Sequence, residues 1–171
     1  MANINVLIVD DSLVFRSQIK AALTNVPGIT VVGSASNGKI ALEKLSTLKV
    51  DLMTLDLEMA EMNGLETLAE LKKRGLKTKV IIFSSRTQSG ADAAIVALQA
   101  GAADVVAKPT GENPSFEAAF LHIQSELVPK VKQFLPTENA VSSQTESVQS
   151  EKSKTESINL SLTEKKKPIG Y

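Results

Sequence analysis

Six side chains in this sequence have the types and spacing to do chemistry together. Asp10 and Asp11 close the apolar run in "LIVDDS", and Asp56 sits in "LMTLDLEM". Ser84 and Ser85 follow "VIIF", and Lys108 follows "VVA" in "VVAKPT". Neighbouring acids repel, and unpaired charge at the end of a buried strand is costly. Three converging carboxylates would raise one another's pKa unless a cation sat among them. Oxygen donors without His or Cys suit a hard ion such as Mg²⁺, which takes few carboxylates, several waters and a phosphate. Lys108 would then face an incoming anion. The chemistry suggested is phosphoryl transfer, with Asp56 as the nucleophile that forms an aspartyl phosphate. Mg²⁺ and Lys108 would stabilise the charge on the transferring group. The Ser84 hydroxyl could bond a phosphoryl oxygen and draw its loop inward.

Taken singly, each residue has a plainer reading. Asp11 or Ser12 could simply cap a helix beginning near Leu13, and a strand-end Ser or Lys is more often surface or cap. Asp56 is harder to dismiss, because it interrupts a run that should be interior. The joint placement carries the inference, and that placement depends on the elements around it.

Residues 1–135 alternate between two patterns. Short apolar runs occur at 4–9, 29–33, 50–55, 79–83 and 103–107. Between and after them the apolar residues fall at helical spacing: Leu13, Ile19, Ala22 and Leu23, then Ile40 to Leu48, then Leu65, Leu68 and Leu71. Ala93, Val96, Ala97 and Ala100 follow, and then Phe116, Ala119, Phe120, Ile123, Leu127, Val131 and Phe134. Five strands alternating with five helices imply an α/β fold with a parallel sheet covered on both faces. A flavodoxin-like doubly wound sheet is the natural choice at this length. In such sheets ligand sites lie beyond the carboxyl ends of the strands. Asp10, Asp11, Asp56, Ser84 and Lys108 all fall there.

Beyond residue 135 the composition changes to Ser, Thr, Glu, Gln and Lys, which cannot bury enough apolar surface to offset ordering. Residues 136–171 read as a flexible polar linker or tail. Lys plus Arg and Asp plus Glu both total 19, so the formal net charge is zero. That balance makes no electrostatic case for nucleic acid or an anionic membrane surface. The absence of cysteine excludes disulfides, thiolate metal sites and cysteine nucleophiles. The first charge is the acid Asp10, unlike a signal peptide, and the longest uncharged window is broken by Pro27 and Gly28. The expected location is the cytoplasm, with no membrane insertion.

These pieces resemble a two-component receiver domain of the CheY-like (βα)5 class, through "LIVDDS", "LMTLDLEMAEMNGLE", "VIIFSSRT" and "LQAGAADVVAKP". The resemblance implies that Asp56 accepts phosphate and that Asp11, with Asp10, Asp56 and the backbone carbonyl of Glu58, binds Mg²⁺. It implies that Ser84 is the switch hydroxyl, that Lys108 contacts the phosphate, and that the bond before Pro109 is cis. "VIIFSSRTQSGADAAIVALQAGAADVVAKP" and the "ELVPKVK" helix are similar to the receiver half of chemotaxis protein-glutamate methylesterases (CheB). That likeness implies a histidine kinase partner of the CheA type and regulation of a methylesterase domain in a longer parent, a domain this chain lacks. A stand-alone receiver acting as a phosphorylation-dependent binding module is the alternative.

Two positions depart from the family pattern. Ala60 follows Met59 where proline is usual, which should loosen the loop. Val105 stands where an aromatic switch residue is usual, so output would rest on Ser84 and its loop. Esterase chemistry in this chain itself is excluded, since no G-x-S-x-G elbow occurs and the only histidine is His122. His122 reads as a surface or packing residue of the final helix.

Overall fold

The computed structural model describes residues 2–111 and 113–137. The tail reading from residue 138 onward lies outside the described residues. Met1–Leu135 forms one compact unit. Five strands, β1 (Ile4–Val9), β2 (Ile29–Ala35), β3 (Leu52–Leu55), β4 (Lys79–Ser84) and β5 (Asp104–Ala107), make one parallel sheet in the order β2-β1-β3-β4-β5. The helices α1 (Leu13–Leu23), α2 (Gly38–Thr47), α3 (Gly64–Lys73), α4 (Gln88–Gln99) and α5 (Phe116–Lys132) follow the strands in turn. The expected five-fold alternation is therefore the fold.

Strand alternation divides the interior into two cores. Val6, Ile8, Leu52, Ile81, Phe83 and Val106 face α1 and α5, meeting Ile19, Leu23, Ile123 and Leu127. Leu7, Val9, Met53, Leu55, Val80 and Ile82 face the other side, meeting Leu42 of α2, Leu68 of α3 and Ala97 of α4. Burial on both faces explains the near-continuous apolar strands. By the same alternation, Asp10, Asp56 and Lys108 continue the α1/α5 face, two residues beyond Ile8, Thr54 and Val106.

Five of the apolar positions at helical spacing are not interior: Leu13, Leu48, Val96, Ala100 and Phe116 are exposed. Leu13 and Phe116 are the first residues of α1 and α5. The Lys108–Pro109 bond is trans, as are all described peptide bonds, which corrects the expected cis isomer. No local sequence signal separates the two isomers of an X–Pro bond. No helix among the described residues is long and apolar enough to cross a membrane.

Candidate phosphoacceptor and metal site

Each acid is held by the strand end that carries it. The Asp10 N–H donates to the Ala35 carbonyl at 3.1 Å, extending the β1–β2 ladder by one residue. Its Oδ1 accepts from the Ser12 N–H at 2.9 Å. Ser12 in turn caps α1, its side chain accepting from the Phe15 N–H. The plainer reading of Ser12 is thus correct, while Asp10 is fully buried and Asp11 is exposed. Asp56 bonds through its N–H to the Val9 carbonyl at 2.9 Å, and its Oδ1 accepts from the Glu58 N–H at 3.2 Å. Glu58 therefore enters the site through its backbone, with its side chain exposed.

The loop carrying Asp56 packs directly against the start of α3. A Cβ at Gly64 would lie 2.5 Å from the Asp56 carbonyl oxygen, so only glycine lets α3 start that close. Asn63 and Glu66 close a capping box at the same point.

Lys108 arrives from the end of β5, where its N–H donates to the Ser84 carbonyl at 2.7 Å. Its Nζ lies 3.1 Å from Asp10 Oδ2 and 3.2 Å from Asp56 Oδ2. The ammonium is the one partner of these two buried oxygens, which have no other contact from a donor. The ammonium also lies over the Phe15 ring, 4.6 Å from its centroid, and 5.7 Å from that of Phe83. Sequence reasoning misses Phe15 and Phe83, because an apolar residue in "VIIF" or on a helix reads as core. The expectation for Lys108 is a counter-charge facing an anion; in the structure its ammonium bridges the two buried acids.

One oxygen from each of Asp10, Asp11 and Asp56 can lie within 4.8 Å of the other two. The electrostatics match that crowding. Burial, and then the charge of Asp10, push Asp56 up to about 7, against the opposing pull of Lys108 and the Glu58 N–H. Asp10 is also raised, chiefly by burial, with Lys108 opposing. Two buried oxygens without hydrogen bonds beside a third, exposed carboxylate make a donor set that fits a hard divalent cation.

Ser84 stands apart from this cluster. Its buried hydroxyl donates to the Gly90 carbonyl at 3.1 Å, in the first turn of α4, with the Ser85 carbonyl at 3.3 Å. Val105 lines a groove of about 500 Å³ with Ser84, Ala91, Ile95 and Leu98. His122 is half-buried on α5, its Nε2 lying 2.9 Å from the Ala107 carbonyl oxygen.

Comparison with known proteins agrees with this geometry. Residues 6–119 match the response regulator receiver domain family. A protein-glutamate methylesterase/protein-glutamine glutaminase of Nocardioides is 41% identical over 136 residues, covering 80% of this chain and 37% of that protein. The Geobacillus kaustophilus protein of the same name is 48% identical over 111 residues, covering 65% of this chain and 32% of its own length. The chain thus spans about a third of these relatives. The crystal structure of the response regulator domain of Thermotoga maritima CheB superposes with a TM-score of 0.68 at 38% identity, covering 80% of this chain and 98% of that one.

Proposed function

The chain belongs to the response regulator receiver domain family, and from that membership we propose that it accepts a phosphoryl group on Asp56 from a histidine kinase. The convergence of Asp10, Asp11, Asp56 and Lys108 at the carboxyl ends of β1, β3 and β5 carries the proposal. An Asp56 carboxylate oxygen attacks phosphorus, an O–P bond forms, and the P–N bond to the kinase histidine breaks. The leaving imidazole takes its proton from solvent. Attack requires Asp56 ionised, and its raised pKa shows how strongly burial and Asp10 oppose that state. Lys108 supplies one fixed positive charge where the phosphoryl oxygens arrive. Asp10, Asp11, Asp56 and the backbone at Glu58 are the residues that would hold Mg²⁺, which when bound supplies the further positive charge the cluster lacks. Ser84 reaches a phosphoryl oxygen only by leaving the Gly90 carbonyl, which couples the event to α4.

In this reading residues 1–135 are the receiver, and residues 136–171 are a linker to a protein-glutamate methylesterase that it regulates. The likeness to proteins of that name and to the CheB receiver supports this. A chemotaxis kinase of the CheA type is then the donor, and the cytoplasm, where ATP charges such a kinase, is the place of work. Mass spectrometry after incubation with Mg²⁺ and a phosphoryl donor tests the central claim. One hydroxylamine-labile phosphate, lost in Asp56→Asn, is the expected result; no adduct under forcing conditions would sink it.

A further inference from the structure

Building on the phosphoacceptor reading, we propose that Phe15 is a positioning residue for Lys108, forming with Phe83 an aromatic wall that holds the ammonium at the phosphoryl site. The ammonium is enclosed on two sides. Asp10 and Asp56 lie 3.1 and 3.2 Å away on one. The Phe15 ring, 4.6 Å to centroid, and the Phe83 ring, 5.7 Å, lie on the other. The rings brace each other edge to face, with centroids 5.7 Å apart and planes at 75°. Phe83 is fully buried one residue before Ser84, so it cannot yield. Phe15 is fixed through α1: the Arg16 guanidinium donates to the Asp10 carbonyl at 2.7 Å and pins the first turn to the end of β1.

A lysine stem is long and freely rotating, and its head is otherwise drawn into water. The Lys108 side chain is only 13% exposed. The carboxylates attract its charge at ion-pair distance on one side only. The negative face of an aromatic ring attracts a cation without demanding direction, more strongly where water is excluded. The wall therefore confines Lys108 beside Asp56, and, being non-directional, it does not take up the N–H groups that arriving phosphoryl oxygens need. An aliphatic residue of similar size would fill the space without holding the charge. This is preorganisation, acting on rate through Lys108.

The test uses the full chain, acetyl phosphate and saturating Mg²⁺, with the initial rate of adduct formation read by intact mass. Phe15→Leu is expected to slow the reaction about fivefold, the factor that a partly desolvated cation–π contact corresponds to. Phe15→Tyr, which keeps the ring face, restores the rate. In a Lys108→Ala background, Phe15→Leu causes no further slowing, because the residue it acts through is gone. Phe83→Leu, read in the same two backgrounds, gives a second pair should Phe15→Leu fold poorly. Equal rates for wild type and Phe15→Leu would overturn the proposal. So would a Phe15→Leu deficit that persists undiminished without Lys108, or one that Phe15→Tyr shares. No adduct on the wild-type chain would instead overturn the phosphoacceptor reading beneath it.

Discussion

Replacing Asp56 with asparagine should make the metal-free chain more stable at neutral pH. Burial and the Asp10 charge push Asp56 from an ordinary 3.8 up to about 7. An acid raised in this way binds its proton more tightly in the folded state. Below about pH 4 both states hold the proton, and Asp56 costs folding nothing. As pH rises from there, the unfolded chain releases the proton first, and each pH unit removes about 1.4 kcal/mol of stability. The interval from 3.8 to about 7 accumulates to about 4 kcal/mol, and above it the penalty is constant. Solvent does little to discount this, because Asp56 is 2% exposed. The asparagine side chain carries no proton to lose, and Lys108 keeps Asp10 as its partner. Urea unfolding in the presence of a chelator, followed by far-UV circular dichroism between about pH 4 and 8, measures the difference. Variant and wild type should nearly coincide at the acid end, with the variant gaining up to about 4 kcal/mol at the alkaline end. A wild type that gained stability relative to Asp56→Asn with rising pH would refute the reasoning. Asp56 would then be charged and net stabilising through Lys108.

The same proton should compete with metal. Calorimetric titration with Mg²⁺ is expected to show affinity rising by up to about tenfold per pH unit below about 7 and levelling above it. Asp11→Asn should weaken that affinity with little change in thermal stability, since Asp11 is exposed and carries no buried charge; the midpoint of a thermal melt checks the second half. Gly64→Ala forces a Cβ against the Asp56 carbonyl and the Leu57 backbone, and should cost about 1–3 kcal/mol in urea unfolding. Leu127→Ala, fully buried between α5 and the sheet, should cost about 2–5 kcal/mol in the same assay.

The elements and the acids are legible in the sequence for one physical reason. A strand buried on both faces must be apolar throughout, so the polar residue ending it stands out. That signal locates Asp10, Asp56, Ser84 and Lys108, and parallel topology brings their ends to one rim. Contacts set by register and rotamer are not legible. Ser84 pairs with Ala107 across the sheet, which sets Lys108 one residue further on, yet nothing local says its ammonium turns between two acids and two rings. The Ser84 hydroxyl could bond a phosphoryl oxygen or a carbonyl, and sequence cannot choose. Helical spacing fails at Leu13 and Phe116 because periodicity reports a helix face without saying where the sheet beneath it ends.

The cluster explains why so small a covalent change could matter to so much of the fold. Lys108 is the cation at its centre, already committed to two buried oxygens. A phosphoryl group on Asp56 would draw that ammonium, and any further positive charge must come from outside the protein or from donors that now point elsewhere. Ser84 ends the neighbouring strand, and its hydroxyl is directed to the Gly90 and Ser85 carbonyls. A Cβ at Gly90 would lie 2.4 Å from the Ser85 carbonyl, so the first turn of α4 rests directly on the loop that Ser84 begins. Turning the hydroxyl inward therefore releases its bond to the first turn of α4 and leaves the Gly90 carbonyl to its helical partner alone. The outer face of that helix carries exposed Ile95, Val96 and Leu98. With Val105 too short to act as a rotating aromatic, the Ser84–Gly90 bond is the contact that joins the end of β4 to that helix.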